Sequence, residues 1–167
     1  MAAIGRIGLG ALLICLCGCE PSVDLRLPSA AELEGMFGAT VELRMNGNVV
    51  EVEASQSPEQ LRRGGPIWAK AGPYIYLFTP QTQSLFETYG GVAAVRVTTL
   101  DGRDRMIARA LLQRAQLNSV TWRRAINVAG RARVEGTTRP NTMVDLIEYG
   151  EENTEFTYSD RYVGTNQ

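Results

Sequence analysis

The sequence predicts an α+β domain: a mostly antiparallel sheet of about six or seven strands built from hairpins, with one principal helix packed on a face. Three stretches carry that expectation. Asn46-Gly47 separates two alternating segments, Asp101-Gly102 separates two more, and Asn118 to Val134 repeats its apolar residues at helical spacing. A small barrel or sandwich with a flanking helix uses the same parts and is the alternative architecture.

The elements follow in order. Ser29 and Glu32 have capping-box spacing, so Ala30 to Phe37 reads as a short helix stopped by Gly38. Thr40 to Met45 and Val49 to Glu53 flank Asn46-Gly47, with Val41, Leu43 and Met45 on one face and Glu42 and Arg44 on the other. A type I′ turn there needs positive φ at both central residues. Ser57-Pro58-Glu59 opens a helical turn that Gly64-Gly65-Pro66 ends. Tyr74 to Thr79 is a continuous apolar run of strand formers, predicting a strand covered on both sides with Tyr74, Tyr76 and Phe78 in a row. Thr79 as cap and Pro80 as first residue start a helix to Tyr89, closed by Gly90-Gly91.

Val92 to Leu100 and Asp104 to Leu112 form the second hairpin. The helix from Asn118 or Ser119 to about Val134 puts Trp122, Ala125, Ile126 and Ala129 in one stripe, with Arg124, Asn127 and Arg131 opposite. Gly130 weakens its middle, which close packing against a strand would explain. Met143 to Tyr149 and Thr154 to Ser159 read as a third hairpin, and residues 161–167 as a fraying tail. The domain so predicted spans residues 29–160.

Composition bounds the function classes. The chain has 167 residues, 44% of them hydrophobic and 21% charged, which suits one globular domain with a proper core. A net charge of −1 carries no nucleic-acid footprint. Lys70 is the only lysine among 17 basic residues, which codon preference explains more simply than anion recognition.

The amino-terminal stretch sets the address. Arg6 precedes an uncharged apolar run, Ile7 to Cys17, shorter than the roughly 20 residues a membrane-spanning helix needs. The run ends Leu16-Cys17-Gly18-Cys19, which resembles the lipobox of bacterial lipoproteins, with Cys17 where alanine or serine is commoner. The resemblance implies diacylglyceryl transfer to the Cys19 thiol, cleavage after Gly18 and acylation of the new amino terminus. Residues 1–18 would then be a signal peptide, and residues 19–28, with two prolines, a lipidated tether. Glu20 in place of the aspartate that signals inner-membrane retention points to the outer membrane. A metal or redox cluster of Cys15, Cys17 and Cys19 would need histidines or further cysteines elsewhere, and the chain has none.

Few catalytic arrangements remain. Without histidine, Ser-His-Asp and Cys-His constellations and histidine-bound zinc are excluded. A Ser-Lys dyad would have to join Lys70 to Ser57 or Ser84, without S-x-x-K spacing. Carboxylate chemistry would draw on Glu51 and Glu53, or on Glu151, Glu152 and Glu155, all at positions expected to face water. The last three lack a calcium-loop pattern.

Arg103 to Arg133 contains eight arginines and one acid, whereas Asp145 to Asp160 carries six acids and no base. The two regions either offer a patch for an anionic polymer or lipid A, or two complementary faces for an envelope protein partner, or they adjoin and neutralise each other. These features lead to the expectation of a membrane-anchored envelope protein without cofactor, in a non-catalytic binding or scaffold role. A carrier of a small apolar ligand, with a cavity lined by Tyr74, Tyr76 and Phe78, and a carboxylate hydrolase of an envelope polymer are the alternatives.

Overall fold

The computed structural model describes residues 25–164; Cys19, the apolar run before it and the last three residues lie outside the described residues. The architecture is α+β: one five-stranded mixed sheet, not closed into a barrel, with several helices. Strands β1 (Glu42–Asn46), β2 (Val49–Ser55), β3 (Ala94–Leu100), β4 (Met106–Gln113) and β5 (Glu155–Tyr158) lie side by side in chain order. All neighbours are antiparallel except β2 and β3. That parallel step needs a crossover longer than any hairpin turn.

The first two predicted hairpins form, with altered turns. Asn46 stays in the ladder opposite Val49, so the loop is Gly47-Asn48, and only Gly47 has positive φ, at 61°. Glycine in the first central position with an ordinary second residue is the type II′ arrangement, not type I′. In the second hairpin the Asp101 carboxylate accepts N–H bonds from Arg103 and Arg105, widening the turn, and Asp104 adopts φ 57°.

Two predicted strands are helices. Helix α2 (Pro58–Leu77) breaks where expected, at Gly65 with φ 55°, and then resumes at Pro66 rather than giving way to a strand. Tyr74 and Phe78 therefore stand four residues apart on one helix face, their rings 6.0 Å apart and both wholly buried. Tyr74, Leu77 and Phe78 are buried while Ile75 and Tyr76 are half-buried beside Arg133, and the run has no polar residue to mark that outer side, so it resembles a buried strand in period. Met143 to Tyr149 belongs to α5 (Pro140–Asn153), started by Pro140 in the first turn, with Met143, Leu146, Ile147 and Gly150 buried at helical spacing. The third hairpin thus dissolves, and its second strand, β5, pairs with β4 instead.

The other helices follow their signals. Ser29 and Glu32 close a reciprocal capping box on α1 (Ala30–Phe37), and Thr79 caps α3 (Pro80–Thr88). Asn118 and Thr121 cap α4 (Ser119–Glu135) reciprocally. Carboxy-terminal to β5, α6 (Asp160–Val163) does not fray: Tyr162 and Val163 pack beside Ala69, Ile107 and Ala108, and the Tyr162 hydroxyl donates to Asp101 at 2.6 Å.

The core lies between one sheet face and the helices. Val50, Val52, Val95, Val97, Ala110 and Leu112 pack there against Tyr74, Leu77, Phe78, Trp122, Met143 and Leu146. Helix α5 reaches α2 because residue 150 is glycine: a Cβ there would lie 2.5 Å from the Tyr74 ring. Gly130, by contrast, has nothing within 4 Å of its Cβ position, so close packing does not explain it.

Candidate functional site

Two charged surfaces offer themselves, and they are built differently. On the sheet face opposite the helices, Glu51 is 7% exposed and sits at the centre of a ladder. Asn46 Nδ2 donates to it at 3.0 Å, Arg44 Nε at 2.6 Å and Arg96 Nη1 at 2.7 Å. The Asn46 bond first, then Arg44 and Arg96, hold the Glu51 carboxyl below its ordinary range against the opposing effect of burial. Arg44 also reaches Glu53 at 3.0 Å, and Arg109 Nε donates to Thr98 Oγ1 at 3.1 Å. The charges of Arg44, Glu51 and Arg96 are thus consumed by neighbouring strands.

The second surface is the outer side of α4 and α5. Helix α4 turns Trp122, Ala125, Ala129 and Ala132 to the core, so Arg123, Arg124, Asn127 and Arg131 face outward. Helix α5 runs antiparallel beside it, as two contacts show: Tyr149 Oη donates to the Thr121 carbonyl at 2.8 Å near one end, and Arg131 meets Asp145 at 3.5 Å near the other. Between them lies a groove of about 680 Å³ with the three arginines on one wall and Asp145, Glu148 and Glu152 on the other. Arg124 lies over the Tyr149 ring at 5.1 Å, and Val128 and Tyr149 form the floor. Burial pushes the Tyr149 hydroxyl up, with Arg124 opposing.

Across this groove, among the described residues, Arg131 and Asp145 form the one direct ion pair. Both are more than half exposed, so the pair contributes little to stability. Val120, Val134 and Val144 stand 61%, 81% and 37% exposed on the same two helices. Val120 and Val134 are fourteen residues apart, about four turns, so they mark the two ends of the outward stripe.

The predicted residues scatter. Glu51 and Glu53 lie on the sheet face as described, and Glu53 lines a second groove there with Glu42, Asp104 and Arg109. Glu151 accepts the Tyr158 hydroxyl at 3.0 Å, Glu152 joins the α4–α5 groove, and Glu155 accepts Gln113 Nε2 at 2.7 Å. The three acids thus occupy three settings. Ser57 caps α2, while Lys70 lies over the Tyr158 ring at 5.2 Å. Tyr74 and Phe78 fill core rather than line a cavity; the Tyr74 hydroxyl meets that of Tyr158 at 2.8 Å, and burial pushes Tyr74 up to about 12.

The arginine-rich and acid-rich stretches do adjoin, at the α4–α5 groove, yet only in part. Arg105 is spent on Asp101, Arg133 donates to the Ile75 carbonyl, and Arg114 donates to the Val92, Phe86 and Tyr89 carbonyls behind α3. The exposed valines and the role of Arg114 escaped the sequence reading. Val120 and Val134, apolar on an otherwise charged stripe, were the available signal for the first.

The chain is docked from near its first described residue. Gly91 N–H donates to the Arg26 carbonyl at 3.1 Å, the Arg26 guanidinium lies 4.6 Å from the Tyr89 ring centroid, and it pairs with Glu32 at 2.7 Å. Gly91 permits this, since a Cβ would sit 2.1 Å from the Leu25 carbonyl oxygen. The stretch ascribed to a tether is therefore part of the domain from about Leu25. Among the described residues no helix is long and apolar enough to cross a membrane. Compared with family models, curated proteins and solved structures, the chain gives no match.

Proposed function

We propose that the chain is a lipoprotein of the bacterial envelope, anchored at Cys19 and facing the periplasm, from the outer membrane rather than the inner. Its domain is a non-catalytic binding or scaffold module that works through the α4–α5 face. The observation that carries the reading is Leu16-Cys17-Gly18-Cys19 at the end of a short apolar run, six residues before a docked domain begins at Leu25. From Cys19 to Leu25 the chain reaches at most about 20 Å, which keeps the domain against the headgroups. Diacyl or triacyl attachment supplies stable anchoring where a single chain does not, at ~0.8 kcal/mol per buried CH₂.

Replacing Cys19 by alanine in the native host tests the anchor. The expected result is loss of the protein from the membrane fraction and a mass that lacks acyl chains. Retention in that fraction at the wild-type mass would remove the reading.

A further inference from the structure

The α4–α5 face has the symmetry of a surface made to meet itself. We propose that it pairs with the same face of a second copy of this chain, about a two-fold axis running along the groove. A two-fold interface brings one patch against its own image, so residue i of one copy meets residue j of the other and the reverse. Rotation about an axis parallel to the helices exchanges the two walls while keeping position along the groove. The arginine wall of α4 then lies over the acidic wall of α5, and both walls are satisfied at once. An axis across the groove would put arginine over arginine and is excluded by repulsion.

The register follows from contacts within one chain. Arg131 lies level with Asp145, so Arg131 of one copy faces Asp145 of the other. Arg124 lies over Tyr149, so it faces Glu148 and Glu152 of the second copy. Helices α4 and α5 are antiparallel within a chain, and this rotation makes α4 antiparallel to α5 of the other copy too, so opposite dipole ends meet. Val120, which lines the groove, and Val134 on the same outward stripe of α4 are exposed on the isolated chain and lose water on pairing. The charges that each chain leaves apart, and the valines it leaves wet, have one remedy in common.

The position of the anchor agrees. The first turn of α4 lies beside the end of α3, because the Trp122 ring sits tilted at 6.2 Å from that of Phe86, and Arg26 docks at Tyr89 and Gly91 in the same region. An axis parallel to α4 leaves both amino termini at that same end. Two copies so paired present both lipid attachment points to one bilayer, and this point, with the concentrating effect of a shared membrane, rests on the anchoring proposed above. Confinement to a membrane raises effective concentration, so a weak pairing suffices.

Native mass spectrometry of the full chain, expressed in its host and released in mild detergent, reads lipid mass and copy number together. The expected wild-type particle holds two chains. Arg124→Glu makes two symmetry-related contacts repulsive and weakens pairing roughly a hundredfold. Adding Glu148→Arg to the same chain restores the opposed walls and the two-chain particle. Arg131→Glu with Asp145→Arg supplies a second swap should the first pair fold poorly. A single-chain wild type at all concentrations overturns the proposal, as does a reversal that leaves the particle unchanged or a double swap that regains nothing. A single chain that still carries lipid removes the pairing and leaves the anchor; a two-chain particle without lipid does the opposite.

Discussion

The Glu51 ladder on the sheet and the α4–α5 groove each bring several arginines and carboxylates together, yet one is closed and the other open. On the sheet, Glu51 is nearly buried and accepts three donors, so its charge is part of how β1, β2 and β3 hold register. On the helices, six charged side chains line two walls of a groove with a single long ion pair between them. Composition does not separate these cases; geometry does. A carboxylate enclosed by its own strands stabilises the fold, whereas opposed charges held apart by a rigid helix pair are available to a partner.

The largest expected break in this comparison is Glu51→Ala. It strips Asn46, Arg44 and Arg96 of their shared acceptor and should cost about 1–3 kcal/mol by denaturant unfolding. Glu148→Ala, in the groove, should leave the unfolding midpoint unchanged within error at concentrations where the chain is unpaired. Equal losses from both would erase the distinction.

The glycines sharpen it on the helix pair itself. Gly150→Ala drives a methyl into the Tyr74 ring and should destabilise by about 1–3 kcal/mol. Gly130→Ala meets open space and should stabilise by up to ~1 kcal/mol through helix propensity. Thermal melts of the two variants read both signs.

Acid titration gives a smaller effect of known sign. Glu51 is held below its ordinary range, and Glu32 is lowered to about 2 by the Ser29 backbone bond and Arg26. A carboxyl whose pKa is depressed by folding stabilises above its unfolded value, near 4.3, and that contribution is lost as pH falls through the folded value. Stability should therefore decline from about pH 4.5 towards 2, and Glu51→Gln should flatten part of that slope. A slope identical in variant and wild type would mean that the ladder does not hold Glu51 as described.

Much of this arrangement was legible in the residues, and the two failures differ in kind. Caps and turns are local, so Ser29, Thr79, Asn118 and the two glycine-bearing turns placed α1, α3, α4 and both hairpins. Tyr74 to Phe78 was misread because a short apolar run has no period to betray a helix, whereas Met143 to Tyr149 did carry one, with Met143, Leu146 and Ile147 at helical spacing around Asp145 and Glu148. Pro66 and Pro140, each a good first helical residue, were the overlooked signs. The parallel step between β2 and β3 follows from that same misreading, since a helical α2 turns a meander into a crossover. At the candidate site, the sequence showed that arginine-rich and acid-rich stretches exist and offered adjacency as one outcome. Only the antiparallel docking of α4 on α5 decides that the walls face each other across a gap.

The most direct test places a photo-crosslinking residue at Asn127, in the groove, and separately at Arg109, on the sheet face, in intact cells. The expected result is an adduct of two copies of this chain from position 127 and uncrosslinked chain from position 109. An adduct from 109 with none from 127 would contradict the claim that the molecule works through its helix pair.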